Sequence, residues 1–140
     1  MAQFIGKWEG DGSSYTNYDE FSKASEIPSE YVEQFRNAKF EVEFKKEGDM
    51  WSCDIKSTAG PDKTYKFKSG EEVTSTDMFG KGVKYTITVE SDTKMIEVEQ
   101  GELTGWKKLR VTRVVNGKNM LETIQLEDGT SMTMSLIKVS

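Results

Sequence analysis

Histidine is absent from this sequence, and cysteine occurs once, at Cys53. Without histidine, neither a Ser-His nor a Cys-His nucleophile pair can form, and histidine-ligated zinc is excluded. A single cysteine cannot close an internal disulfide, which favours a reducing compartment. No acid–base constellation stands out among the remaining residues. The sequence therefore predicts a protein that is not an enzyme and that holds neither a cofactor nor a metal.

Long apolar runs and excess positive charge are also missing. No stretch approaches the length of a membrane span, and residues 1–7 lack the apolar run of a signal peptide. The formal net charge of −5 argues against an electrostatic grip on nucleic acid or anionic membrane. We therefore expect a cytosolic protein with no integral membrane segment and no nucleic-acid partner.

The chain is nevertheless rich enough in apolar side chains to fold. Hydrophobic residues make up 35% of it, and seven Phe, five Tyr and three Trp supply large side chains for a core or a pocket. A chain of 140 residues buries about two-thirds of the surface that it exposes when unfolded. We expect one domain over residues 1–140.

The hydrophobic pattern changes period along the chain. Residues 4–11 are typical of a strand, and the next segment has helical spacing that breaks and restarts at Pro28. From Ala38 onward, apolar and polar residues alternate in short runs that end at turn residues such as Asn116-Gly117. This pattern predicts an all-β fold, a ten-stranded antiparallel up-and-down β-barrel with a helix-turn-helix lid between the first two strands.

A ten-stranded barrel is wider than its own side chains usually fill, so the sequence predicts an interior cavity for one small hydrophobic ligand. Cys53 is expected to be a buried apolar residue rather than a reactive thiol. The candidate lining residues come from the helices and from the inward positions of the strands: Phe21, Ile27, Tyr31, Trp51, Cys53, Ile55, Tyr65, Phe67, Tyr85, Ile87, Glu122, Met132, Met134 and Leu136.

Several short motifs resemble the intracellular lipid-binding proteins, the fatty-acid-binding protein family. They are Gly6-Lys7-Trp8, Asn17-Tyr18-Asp19-Glu20-Phe21, Arg36-Asn37, Glu47-Gly48-Asp49, and a Lys-Phe-x-x-Gly-x-Glu segment from Lys66 to Glu72. Residues 17–48 are most similar to the ileal and liver bile-acid-binding branch. Extra residues lie near 11–14 and 119–128. The resemblance implies a two-helix lid over a portal and non-covalent carriage of fatty acids, retinoids or bile salts in the cytosol.

The sequence departs from this family at two arginines that many members use to hold a ligand carboxylate. On the last strand, the inward positions are Met134 and Leu136. On the strand predicted over residues 106–115, counting from Gly105 places Thr112 at the second arginine position. Arg110 shares the parity of Thr112 and is the candidate interior cation. Arg113 would face inward if a bulge shifted the register.

Glu122 shares its parity with Met120 and Ile124, and an inward carboxylate needs a partner. It could pair with Arg110, bind a ligand hydroxyl, or be exposed by a register slip.

The leading hypothesis is a monomeric cytosolic carrier of a fatty acid, a bile-acid-like molecule or another lipophilic metabolite. Three alternatives stay open: an extracellular lipocalin-like carrier, a barrel that acts through protein contacts, and an isomerase that uses the cavity. Transient contact of the helical lid with a membrane also stays open, although residues 17–36 are mostly acidic, with only Lys23 and Arg36 as cations.

Overall fold

The structure, a computed structural model, describes residues 3–140. Helices α1 (Tyr18–Ser25) and α2 (Ser29–Arg36) lie between the first and second strands, and short 3-10 turns occupy Gly12–Ser14 and Glu102–Thr104. The ten strands are β1 (Gly6–Asp11), β2 (Lys39–Glu47), β3 (Met50–Ser57), β4 (Gly60–Lys68), β5 (Glu72–Thr76), β6 (Gly82–Ser91), β7 (Lys94–Gly101), β8 (Leu109–Asn116), β9 (Asn119–Leu126) and β10 (Ser131–Lys138).

All ten strands form one antiparallel sheet. Each strand pairs with the next one along the chain, except that no ladder joins β4 to β5 within residues 3–140. In addition, the first strand, β1, pairs with the last, β10. The sheet therefore curls into a nearly closed barrel with β4 and β5 at its two edges. This confirms the predicted fold, although the first strand begins at Gly6 rather than at Phe4.

The two helices begin and end where the local sequence requires it. Glu26 adopts a left-handed conformation, φ 58°, directly after α1, and Pro28 precedes α2, where its missing N–H costs no hydrogen bond. Asp19 and Glu20 lie in the first turn of α1, where negative charge complements the helix dipole.

The first 3-10 turn, Gly12–Ser14, packs against the end of α2. A Cβ atom on Gly12 would lie 2.0 Å from the backbone oxygen of Arg36. The N–H of Gly12 donates to the backbone oxygen of Ala38 over 2.9 Å. Only glycine fits this close approach, and the turn thereby fixes the lid to β1.

A bulge in the β6–β7 hairpin decides which side chains of β7 face inward. Ser91 pairs with Lys94, whereas Val89 pairs with Met95, so Glu90 is one extra residue on β6. This shift turns Met95, Glu97 and the following odd-numbered positions toward the interior.

Two apolar clusters fill opposite ends of the barrel. The lid core, beneath the helices, contains Phe21, Leu109, Leu126 and Met132. The closed-end core contains Phe4, Trp8, Phe44, Trp51, Cys53, Phe67, Tyr85, Ile87, Met95, Val115, Met120, Met134 and Leu136. Residues before β1 cap this second end, since the N–H of Gln3 donates to the backbone oxygen of Asp92 over 2.9 Å.

Candidate ligand-binding cavity

The barrel interior holds two adjoining compartments. The helix-end compartment has a volume of about 320 Å³, and the inner compartment about 160 Å³. Tyr65, Val83 and Glu99 line both compartments, so the two meet at these residues. A groove of about 870 Å³ lies on the outer surface of the sheet, but it is open to solvent and lined by charges of both signs, such as Glu41 and Lys56. The enclosed interior is therefore the candidate site.

Apolar side chains dominate the helix-end compartment. Those from the lid are Phe21, Ile27, Val32 and Phe35, and those from the barrel include Phe40, Val83, Leu103, Leu109, Ile124, Met132 and Met134. The inner compartment has Phe44, Cys53, Ile55, Tyr85 and Ile87 on its apolar side and Glu97, Glu99 and Arg113 on its polar side. An apolar ligand tail fits the first compartment, and a polar group fits the place where the two meet.

Two tyrosine side chains tie α2 to α1 and to the segment that precedes α1. The hydroxyl of Tyr15 donates to the backbone oxygen of Phe35 over 3.0 Å, and that of Tyr18 donates to the backbone oxygen of Val32 over 2.6 Å. Their rings stack with centroids 4.8 Å apart. These contacts fix α2 over the helix-end compartment.

The far side of the lid touches the β5–β6 connection through aromatic rings. Phe79 lies 4.6 Å from the ring of Tyr31 and 5.8 Å from that of Phe35, centroid to centroid. An ion pair of 2.8 Å joins Lys107, after the second 3-10 turn, to Glu26 at the end of α1. These contacts cover the compartment without any covalent link, so a ligand could enter by local opening.

A charge network crosses the polar side of the interior. Arg113 Nη1 lies 2.8 Å from Glu97 Oε1, and Arg113 Nε lies 3.0 Å from Glu122 Oε2. The three side chains are only 16%, 9% and 13% exposed, respectively. Arg113 and Glu122 are direct cross-strand neighbours on β8 and β9, and Glu97 lies on β7. One guanidinium therefore bridges three adjacent strands.

The carboxyl groups on β7 differ in their protonation. Burial alone would raise the pKa of Glu97, but the charge of Arg113 and hydrogen bonds from Glu99 and Arg113 outweigh it and lower that pKa. Burial, together with the charge of Glu97, raises the pKa of Glu99 well above its usual range. When the pair holds a single proton, that proton therefore resides on Glu99, whose carboxyl donates a hydrogen bond to Glu97.

The buried thiol and tyrosines of the interior are not activated for catalysis. Burial raises the pKa of the Cys53 thiol to about 12, and burial likewise raises the pKa of Tyr85 to about 12. A thiol at such a pKa is not ionised at neutral pH and is a poor nucleophile. The hydroxyl of Tyr85 donates to the backbone oxygen of Lys66 over 3.1 Å. These groups are suited to packing and to hydrogen bonding.

Within residues 3–140, no group of three or more His, Cys, Asp or Glu side chains is arranged to hold a metal ion. Over the same residues, no helix combines the length and the hydropathy that crossing a membrane requires.

Comparison with known proteins agrees with this geometry. Residues 1–114 match the lipocalin / cytosolic fatty-acid binding protein family. The chain is 33% identical to fatty acid-binding protein type 2 of Fasciola hepatica over 129 residues, which are 91% of this chain and 92% of that protein. It is 28% identical to gastrotropin of Sus scrofa over 134 residues, 96% of this chain and 88% of that protein.

The chain belongs to the lipocalin / cytosolic fatty-acid binding protein family. The family predicted from the sequence motifs is thereby confirmed. Among solved structures, the fatty acid binding protein of Schistosoma mansoni in complex with arachidonic acid superposes with a TM-score of 0.88 at 21% identity and covers 100% of this chain and 98% of that one. At that identity, the likeness shows the fold alone.

Most of the predicted lining residues of this family member face its interior. Those in the helix-end compartment are Phe21, Ile27, Tyr65, Glu122, Met132 and Met134. Those in the inner compartment are Cys53, Ile55, Tyr65, Tyr85 and Ile87. Ligand contact at these positions stays a prediction.

Four other predicted residues do not line either compartment. Trp51 and Phe67 stack with centroids 6.0 Å apart, and together with Leu136 they fill the closed-end core. Tyr31 is half-buried at the edge of the lid, against Phe79. These side chains shape the cavity from behind or cover its edge.

The predicted interior cation was assigned to the wrong residue. Arg110 is exposed, and Thr112 shares its outward parity, whereas Arg113 faces the inner compartment. The count from Gly105 fails because β8 begins only at Leu109, after the second 3-10 turn. Gly105 and Trp106 both adopt φ 62° there, which breaks the alternation of an extended chain.

Of the alternatives left open for Glu122, the structure shows the inward position. Glu122 pairs with Arg113 instead of Arg110. The β8–β9 ladder runs from Leu109–Leu126 to Asn116–Asn119 without a shift. No register slip therefore exposes Glu122.

Glu97 and Glu99 were missed as interior residues. In the sequence, Ile96 and Val98 are the apolar partners in the alternation, which suggests that these two face inward. The bulge at Glu90 reverses this parity. Counting residues across a regular hairpin at Ser91–Lys94 would place Ile96 and Val98 inside the barrel. No simple signal in the sequence therefore reveals that Glu97 and Glu99 face inward.

Proposed function

We propose that this protein is a cytosolic carrier that binds one small hydrophobic ligand non-covalently inside its barrel. The observation that carries the proposal is the apolar helix-end compartment of about 320 Å³ under the two helices. Family membership supports it, because the relatives include proteins named for binding fatty acids. The proposed ligand contacts are the predicted lining residues that face the two compartments.

Burial of the ligand's apolar surface supplies the binding free energy. Each Å² removed from water contributes about 25 cal/mol. A ligand enclosed by side chains such as Phe21, Ile124 and Met132 needs few polar contacts to bind in the micromolar range. Entry and release follow from opening of the lid where Phe79 meets Tyr31 and Phe35.

The remaining parts of the proposal concern the protein as a whole. The absence of histidine and the un-ionised thiol of Cys53 support a carrier without catalytic activity. The family description as cytosolic supports a cytosolic location. We take residues 1–140 as one monomeric ligand-binding domain. Contact with membranes would be transient and through α1 and α2.

Titration of the delipidated protein with Nile red, an uncharged dye whose fluorescence rises in apolar surroundings, tests the proposal. Binding should saturate near one equivalent. Val83→Trp should abolish it, because Val83 lines both compartments and the indole would fill the space where they meet. Val114→Trp is the matched control, since Val114 is 41% exposed on the outside of β8.

A folded, delipidated protein that does not bind Nile red saturably would contradict the carrier function. Equal binding by the Val83→Trp and Val114→Trp variants would contradict the location inside the barrel.

A further inference from the structure

The interior cation of this barrel already has its counter-charges. Arg113 is the only Lys or Arg among the described residues that line the two compartments. Its guanidinium contacts Glu97 at 2.8 Å and Glu122 at 3.0 Å. No side-chain nitrogen or oxygen that is fully buried in the described part of the chain lacks a hydrogen-bond partner. The network is therefore complete without a ligand.

Acidic groups outnumber basic ones in this interior. Glu97, Glu99 and Glu122 face one guanidinium, and Asp77 lines the helix-end compartment as well. Since Arg113 contacts two carboxylates, the network carries an excess of negative charge. A ligand carboxylate would add a further negative charge in a poorly solvated space, where like charges repel most strongly. It would have to displace Glu97 or Glu122 to reach the guanidinium.

Glu99 is the acidic group best placed to meet a ligand. It lines both compartments, and it has no ion pair with Arg113, whereas Glu97 and Glu122 do. Its side chain hydrogen-bonds Glu97 and keeps further acceptor lone pairs. A head group at this junction would lie beside an acceptor, and its tail would extend among Leu109, Ile124 and Met132.

We infer that the cavity selects amphiphiles whose head group donates hydrogen bonds and is not anionic, an alcohol or an amine, over the corresponding carboxylates. The inference rests on the proposed carrier function and specifies its ligand. An alcohol donates its O–H to Glu99 and leaves the charge network intact. An ammonium group does the same and also offsets the excess negative charge.

Displacement of Nile red by three probes with the same twelve-carbon tail, dodecanoate, dodecanol and dodecylamine, isolates the head group. At neutral pH, dodecanol and dodecylamine should each bind at least about tenfold more tightly than dodecanoate, a difference of about 1.4 kcal/mol. The tighter of these two identifies whether the preferred head is neutral or cationic.

Removing the carboxylates that occupy Arg113 should reverse this preference. In the Glu97→Gln/Glu122→Gln variant, the guanidinium is free, and dodecanoate should become the tightest of the three probes. The milder Glu122→Gln variant keeps the ion pair between Arg113 and Glu97. It should stay folded and should narrow the difference in affinity between dodecanoate and the other two probes. Glu71→Gln/Glu72→Gln removes the same two charges from exposed positions and should leave the order of the probes unchanged.

The outcomes separate this inference from the carrier function. If dodecanoate binds the wild type as tightly as dodecanol, the head-group inference is wrong, although the protein remains a carrier. If the surface control changes the preference as much as the interior variants do, the effect is one of overall charge and the inference also fails. If neither Nile red nor any probe binds, the carrier function itself fails.

Discussion

The two ends of the barrel are built from the same strands but differ in how they are filled. On β8, β9 and β10, Val115, Met120 and Leu136 belong to the closed-end core. A few residues away on the same strands, Leu109, Leu126 and Met132 belong to the lid core. At the closed end, Trp8 is 0% exposed and its indole N–H donates to the backbone oxygen of Phe4 over 2.9 Å. At the lid end, a compartment of about 320 Å³ remains.

The difference lies in what covers each end. The chain before β1 inserts Phe4 directly into the closed end, where its ring lies 5.9 Å from that of Phe44, centroid to centroid. The lid end is covered by two short helices, of which α1 packs Phe21 against Leu109, Leu126 and Met132. Similar inward residues therefore leave only the inner compartment of about 160 Å³ beside the closed-end core, but a compartment of about 320 Å³ beneath the lid. The charge network of Arg113 lies between the two ends.

The largest effect on the free energy of unfolding is expected at Arg113, between the two ends of the barrel. Arg113→Gln leaves Glu97 and Glu122 buried without their cation, so the free energy of unfolding should fall by about 3–5 kcal/mol. Arg110→Gln, on the outside of the same strand, should change it by less than about 0.5 kcal/mol. Urea denaturation of both variants measures this. Equal losses would mean that the inward and outward positions of β8 have been misassigned.

Two methionines compare the ends directly. Met120 is 1% exposed in the closed-end core. Met120→Ala should therefore lower the free energy of unfolding by about 2–5 kcal/mol. Met132, 6% exposed, already faces empty space on one side, so Met132→Ala should cost at least about 1 kcal/mol less. The measurement is again urea denaturation of the ligand-free protein. Similar costs would show that both ends are packed alike.

The charge network gives the pH dependence a definite sign. Because the pKa of Glu99 is raised in the folded state, the folded protein binds a proton that the unfolded chain releases above about pH 4.3. This contribution to stability therefore falls as the pH rises from there toward the folded-state pKa. Glu99→Gln does not titrate, so its stability relative to the wild type should increase with pH over that range.

A series of urea denaturations at increasing pH measures this difference, with Glu72→Gln at an exposed position as the control. A difference between Glu99→Gln and wild type that is independent of pH would show that the pKa of Glu99 is not raised in the folded protein.

The smallest effect is expected at the lid. Lys107→Met removes the 2.8 Å ion pair with Glu26 but no buried contact. Exposed ion pairs contribute little, so Nile red should enter and leave only about two- to threefold faster, and less so at high salt. Lys84→Met, on the exposed side of β6, should leave the stopped-flow rates unchanged. An unchanged rate for Lys107→Met would exclude this contact from lid opening.

The fold was predictable because most of its determinants are local. Alternating residues marked the strands, Asn116-Gly117 marked a hairpin, and Pro28 marked the break between the helices. The inward positions of β3, β9 and β10 followed from the same alternation, as for Cys53, Glu122 and Met134. Periodicity suffices wherever the strand is regular from its first residue.

The polar half of the site was not predictable in this way. Arg113 depends on where β8 begins after two residues with positive φ, and Glu97 and Glu99 depend on the bulge at Glu90. Each irregularity shifts the count by one residue, and a shift of one exchanges the two faces of a strand. The charge network thus follows from backbone irregularities that side-chain patterns do not reveal.

Native mass spectrometry of protein purified from its source without delipidation tests the account most directly. We predict one bound ligand per chain, and we expect its released form to be an amphiphile with a hydroxyl or amine head and no carboxylate. If the protein instead carries mainly one free carboxylic acid per chain, the claim that the pairing of Arg113 with Glu97 and Glu122 disfavours a ligand carboxylate is contradicted. Protein without any bound lipid, which also fails to take up Nile red, would contradict the carrier function.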